Sequence, residues 1–148
     1  MAEANKILVV EDDAIVASQL QRTLHKMGYA SIGPVATGEE AIELAIREAP
    51  DCILMDIKLK GELSGIETAD LIHKEAEIPV IYLTAYADHE TIERSKDSHT
   101  YGFLTKPIRE KELGAMIETA IYKSSTDRYL KHLNQLLLVS WFPKLNFV

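Results

Sequence analysis

Apolar positions along this chain follow two alternating rhythms. In Lys6-Ile7-Leu8-Val9-Val10, Cys52-Ile53-Leu54-Met55 and Ile78-Pro79-Val80-Ile81-Tyr82-Leu83 nearly every residue is apolar. Between these runs lie longer stretches where apolar residues recur every three or four positions. The short runs read as strands buried on both faces, as in a parallel sheet, and the longer stretches as amphipathic helices. The first helix spans about 14–27, with Ile15, Val16, Leu20, Leu24 and Met27 at helical spacing and Gly28 at its end. A second runs to about 48 with Ile42, Ala45 and Ile46 inward, and a third to about 75 burying Ile66, Ala69, Leu71 and Ile72. A polar, weakly amphipathic helix over 88–98 follows, and a last one starts near 108 and carries Leu113, Met116, Ile117, Ala120 and Ile121.

Punctuation agrees with that reading. Asp12 or Asp13 can cap the first helix, and Thr37 with Glu40 and Ser64 with Glu67 form capping boxes. The segment 31–35 is a strand weakened by Gly33 and Pro34, which suits a sheet edge. Residues 100–105 make a fifth strand. Strand and helix therefore alternate five times, the pattern of right-handed parallel crossovers with helices on both faces. The expected fold class is α/β, a flavodoxin-like (βα)5 doubly wound sheet in the order 2-1-3-4-5 with a C-terminal helical extension.

In a parallel sheet all the C-terminal strand ends share one rim. Glu11, Asp12 and Asp13 follow the first strand, Asp56 ends the third, Thr84 ends the fourth and Lys106 follows the fifth. Crowded carboxylates repel, so one pKa should rise unless a cation intervenes. Oxygen ligands without His or Cys favour a hard ion, Mg²⁺ or Mn²⁺. A carboxylate with a cation, a lysine and a hydroxyl around it can stabilise, and itself accept, a transferring phosphoryl group.

Charge and composition narrow the classes. Sixteen Lys and Arg stand against 23 Asp and Glu, a net charge of -7 that argues against a nucleic-acid groove. The single cysteine, Cys52, lies inside an apolar strand and reads as a small buried hydrophobe. The five histidines are scattered without ligand spacing. No stretch approaches a membrane span and no signal-peptide layout opens the chain, so a cytoplasmic location is expected.

The residues Val9-Val10-Glu11-Asp12-Asp13, Leu54-Met55-Asp56, Thr84-Ala85 and Gly102-Phe103 before Lys106-Pro107 resemble the receiver domain of two-component response regulators. Thr84 and Lys106 follow Asp56 by 28 and 50 residues, as in that family, and the likeness covers residues 6–123. The resemblance implies that Asp56 accepts a phosphoryl group from a histidine kinase or phosphotransfer protein in a phosphorelay. It implies Mg²⁺ held by Asp12, Asp56 and the Lys58 carbonyl, with Glu11 acting through water. Thr84 and Lys106 would bind the phosphoryl oxygens, and the Lys106–Pro107 bond would be cis. Thr84 and Phe103 would be the switch pair, resetting the face made by the helix over 88–98, the fifth strand and the last helix. Such a protein is a switch that catalyses only its own phosphorylation and dephosphorylation. Tyr86 stands where the family gates water, and Lys58 and Lys60 lie in a loop longer than the family's usual one.

Residues 1–123 are thus expected to form the receiver and 124–148 an extension. Residues 123–127 are polar enough for a hinge, followed by an apolar stripe of Leu130, Leu133, Leu136, Leu137 and Val139. The stripe either continues the last helix to pair with a second copy or a partner, folds back on the receiver, or begins a further domain. The other face expected to support a homodimer is the switch face itself; neither nucleic acid nor membrane is expected as a partner. Two rival functions are a Mg²⁺-dependent phosphohydrolase with an aspartyl nucleophile and a flavodoxin-like binding module. Lys58 stands where the first would want a second acid, and the Asp56 turn lacks the phosphate loop the second would want.

Overall fold

The computed structural model describes residues 4–85, 90 and 100–141. Tyr86, the helix expected over 88–98 apart from Glu90, and the segment after Trp141 lie outside them. Nine elements are described: β1 (Lys6–Val10), α1 (Ala14–Lys26), β2 (Ala30–Val35), α2 (Gly38–Glu48), β3 (Cys52–Asp56), α3 (Gly65–His73), β4 (Val80–Thr84), β5 (Thr100–Thr105) and α4 (Glu110–Trp141). The strands form one parallel sheet in the order β2-β1-β3-β4-β5, as the alternation predicted. β1, β3 and β4 sit in the middle, and the interiors of all three are buried, which is why they read as unbroken apolar runs.

The pleat divides the core into two layers. Leu8, Ile53, Met55, Val80 and Tyr82 pack with Ala41, Ala45, Ala69 and Ile72 of α2 and α3. Ile7, Val9, Leu54, Ile81 and Leu83 pack with Leu20 and Leu24 of α1 and with Leu113, Ile117 and Ala120 of α4. Helix starts follow local chemistry. Asp13 accepts from the amides of Ile15 and Val16, Thr37 from that of Glu40, and Ser64 and Glu67 close a reciprocal capping box.

Some helical faces differ from the expected ones. Ile46 is 49% exposed and the buried centre of α2 is Ala41 and Ala45. Ile15 and Leu71 also point outward, at 72% and 37% exposure. Small residues let α2 lie close to the sheet, so the longer side chains beside them spread to its flanks. The fourth strand starts at Val80 rather than at Ile78. The polar 123–127 stretch, expected as a hinge, is helical, and α4 runs through it without a break.

β5 carries an irregularity. Thr100 pairs with Val80 and Gly102 with Ile81, so Tyr101 is the extra residue of a bulge. Tyr101 consequently packs on the α1 and α4 layer, while Phe103, two residues on, packs on the α2 and α3 layer. No described helix is long and apolar enough to cross a membrane.

Candidate functional site

The site is built from consecutive strand ends. β3 delivers Asp56 to the rim, where its residue is 7% exposed. β1 runs alongside with Val10 opposite Met55, so the next residues, Glu11 and Asp12, arrive beside Asp56. Glu11 is buried, Asp12 is half-buried, and Asp13 turns away to cap α1. Successive side chains of an extended segment alternate in direction, which separates the three acids into different roles. On the other side β4 sets Leu83 opposite Asp56, and Thr84 follows at the rim. Thr84 pairs with Thr105, and the Lys106 amide donates to the Thr84 carbonyl at 2.8 Å, which brings the lysine to the same edge.

The Lys106 ammonium donates to Glu11 Oε1 at 2.6 Å and to Asp56 Oδ2 at 3.0 Å. Burial works against this charge, but the hydrogen bonds and negative charges of Glu11 and Asp56 outweigh it and raise the lysine pKa. Burial, reinforced by the hydrogen bond and charge of Asp56, pushes the Glu11 carboxyl up to about 8 against the pull of Lys106. One ammonium therefore serves two acids, and negative charge is in excess. Glu11, Asp12 and Asp56 each place a carboxylate oxygen within 4.8 Å of the others. Glu11 Oε2 is buried with no hydrogen-bond partner among the described residues. A buried acceptor left open among oxygen donors fits a hard divalent cation or its bound water.

The Lys58 amide donates to Asp56 Oδ1 at 3.2 Å, which fixes the carboxylate plane, while the Lys58 side chain is exposed. Thr84 is buried and its hydroxyl donates to the Ala85 carbonyl at 2.8 Å. Phe103 lies one strand further out, half-buried and paired with Tyr82. The Lys106–Pro107 peptide is cis; so is Gly33–Pro34, which the sequence reading did not anticipate.

Sequence reasoning passed over Gly65. It opens α3 directly behind Asp56, and its amide donates to the Ile57 carbonyl at 2.7 Å. A Cβ at this position would overlap the Asp56 carbonyl and crowd Ile57 Cα at 2.9 Å. A glycine one residue after a capping serine, behind the rim acid, was the available signal. Sequence reasoning also gave Lys106 no direct partner in Glu11, since three acids in a row cannot be ranked without backbone direction.

Comparison with known proteins places the chain. The family described as "Response regulator receiver domain" matches residues 7–118. The transcriptional regulatory protein PdtaR of Mycobacterium tuberculosis is 32% identical over 120 residues, which is 81% of this chain and 58% of PdtaR. The regulatory protein AtoC of Escherichia coli is 30% identical over 95% of this chain but only 30% of its own length. The chain thus spans less than two thirds of these curated relatives. Among solved structures, the signal receiver domain of a modulated diguanylate cyclase from Desulfovibrio desulfuricans is 36% identical, with a TM-score of 0.78 over 84% of this chain and 98% of that one. The receiver domain of sensor histidine kinase PA1611 from Pseudomonas aeruginosa, described with a magnesium ion in its active-site cleft, is 30% identical, with a TM-score of 0.71 over 80% of this chain and 98% of that one. With the profile match over three quarters of its length and a rim of Glu11, Asp12, Asp56, Thr84 and Lys106, the chain belongs to the response regulator receiver domains of two-component signalling.

Proposed function

We propose that Asp56 is the phosphoacceptor of this receiver, taking its phosphoryl group from a histidine kinase or phosphotransfer protein. The observation that carries this reading is the Lys106 ammonium, held 3.0 Å from a nearly buried Asp56 carboxylate and 2.6 Å from Glu11. Asp12, Asp56 and the Lys58 carbonyl would hold Mg²⁺ or Mn²⁺, with Glu11 acting through water. The open Glu11 Oε2 and the all-oxygen donor set support that assignment, as does the magnesium described for the PA1611 receiver. When bound, the cation supplies positive charge that offsets the phosphoryl oxygens.

The chain's own residues do the rest. An Asp56 carboxylate oxygen attacks the phosphorus of the donor phosphohistidine. A new O–P bond forms, the P–N bond breaks, and the imidazole leaves with the electron pair. Lys106 keeps one ammonium contact for the new oxygens, so charge is balanced without a large rearrangement. The Thr84 hydroxyl exchanges the Ala85 carbonyl for a phosphoryl oxygen. That motion frees space beside β4, and Phe103 turns inward from the neighbouring strand. The surface of β5 and the adjoining helices is then the readout of a two-state equilibrium. Water later hydrolyses the acyl phosphate and restores the carboxylate, so the protein is a switch rather than a metabolic enzyme.

Incubation with acetyl phosphate and Mg²⁺, followed by intact mass measurement, tests the assignment. One phosphoryl adduct is expected on the wild-type chain, and none on Asp56→Ala or after chelation of the cation. Undiminished labelling of Asp56→Ala would remove Asp56 from this role.

A further inference from the structure

We infer that the outer part of α4 is a parallel pairing helix for a second copy of this chain, with its seam on the side facing away from the receiver body. The helix changes its apolar face along its length. Near its start Leu113, Ile117, Ala120 and Ser124 are buried against the sheet. Only two residues before Ser124, Tyr122 is 73% exposed, and at 3.6 residues per turn it lies about half a turn round the helix from that buried seam. From Tyr122 onward the exposed apolar residues are Tyr122, Tyr129, Leu130, Leu133, Leu136, Leu137, Leu138 and Val139, and all but the last two lie on the outward side as a second stripe.

The body fixes which face points out. The Tyr101 hydroxyl donates to Asp127 at 2.7 Å, Arg128 donates to the Glu77 carbonyl at 3.1 Å, and Lys131 pairs with the Glu77 carboxylate at 2.6 Å. These contacts continue the inward seam for two more turns. Folding the leucines back onto the receiver would require rotating the helix by about half a turn and breaking all three. The reading in which the extension covers its own domain therefore fails on helical geometry.

The stripe has the spacing that fits another helix. Positions 122, 126, 129, 133, 136 and 140 alternate steps of four and three, with Tyr, Thr, Tyr, Leu, Leu and Ser in order. Leu130 and Leu137 widen the seam on one side, while Ser124 and Lys131 fall opposite it, toward the body. Two copies can thus align in parallel and in register with both receivers outside, a self-complementary two-fold arrangement. The flanking positions Lys123, Ser125, Leu130, His132, Leu137 and Val139 carry one lysine and no acid, so no alternating charge pattern selects an oppositely charged partner helix. The six stripe side chains expose on the order of 600 Å² per copy, and pairing would bury on the order of 1,200 Å², the lower bound of specific interfaces. The inference is independent of the phosphoryl chemistry, since it uses no residue of the rim.

Sedimentation equilibrium of the full chain across micromolar concentrations tests it, with Leu133→Asp/Leu136→Asp as the seam variant and Gln135→Glu, off the seam, as control. Twice the chain mass for wild type and control, with at least a 100-fold weaker association for the seam variant, is the expected result. Both leucines are already exposed in one copy, so circular dichroism should show the receiver intact. Tyr122→Cys near the start of the seam should form a disulfide between copies on oxidation, which only a parallel pair permits; Cys52 is buried and gives no background. A wild-type monomer, association unaffected by the seam variant, or a dimer without the Tyr122→Cys cross-link would overturn the proposal. So would a monomer that co-sediments with anionic lipid vesicles through the same leucines, which would reassign the stripe to a membrane surface.

Discussion

Replacing Lys106 by methionine keeps a long unbranched side chain and removes one ammonium group. In the folded chain that ammonium lies 2.6 Å from Glu11 and 3.0 Å from Asp56. At an effective dielectric near 20, each contact carries a Coulomb energy of about 6 kcal/mol. Taking the ammonium out of water costs several kcal/mol, so the net contribution is much smaller; deleting one member of a buried pair typically costs about 3–5 kcal/mol. The lysine side chain is 28% exposed, which places this case at the lower end. At about pH 9, above the Glu11 pKa of about 8, that carboxylate is charged in the wild type, and proton uptake in the variant recovers part of the loss. The expected destabilisation at about pH 9 is about 2–3 kcal/mol, or a fall of about 1–2 M in the urea midpoint. Circular dichroism in urea without divalent cations reads it. Adding Glu11→Gln to Lys106→Met should restore part of the midpoint, because one of the two uncompensated charges is gone; the coupling should be on the order of 1 kcal/mol or more. A Lys106→Met midpoint equal to wild type, or a strictly additive double variant, would refute the charge balance described for the rim.

Three further predictions concern other links of the fold. Gly65→Ala forces a methyl group against the Asp56 backbone, so it should cost about 1–3 kcal/mol and slow acetyl-phosphate labelling about 10–100-fold; normal stability and labelling would contradict the tight approach. Ala49 ends α2 in the left-handed region at φ 46°, so Ala49→Gly should raise the urea midpoint by the equivalent of about 1 kcal/mol, and a lower midpoint would contradict that geometry. Burial pushes the Cys52 thiol up to about 12 from an ordinary value of 9.0, outweighing a backbone hydrogen bond of Ile53 that favours the thiolate. The folded state binds this proton more tightly, so its contribution to stability is complete below about pH 9 and is lost as pH rises toward 12. At pH 8 a disulfide reagent should react with Cys52 only as fast as the chain unfolds, and rapid labelling in native buffer would refute the burial.

The strands were legible because burial on both faces leaves few polar positions, and β1, β3 and β4 satisfy that condition along their interiors. The gathering of Glu11, Asp56, Thr84 and Lys106 at one rim follows from parallel crossovers, and the sheet order is the commonest of the few windings such crossovers leave for five strands. The edges of helical faces were less legible. Periodicity locates the centre of an apolar stripe but not its width, so Ile15, Ile46 and Leu71 were read as inward when their neighbours Ala17, Ala41, Ala45 and Ala69 hold the contact. The continuity of α4 through 123–127 was hidden for another reason. Ser124 and Asp127 are polar, yet one is buried against the sheet and the other is held by Tyr101, and contacts that distant in sequence leave no local mark.

The bulge at Tyr101 has a mechanical meaning. In a regular strand, residues 101 and 103 would share one side of the sheet; here the extra residue sends Tyr101 to one layer and Phe103 to the other. Gly102, at φ 154°, is the swivel between them. A rotation of Phe103 on one layer would therefore be felt through Gly102 on the other, at a phenol already tethered to Asp127. If Phe103 turns as proposed, β5 would act as a crank through the sheet between the acidic rim and the shaft of α4.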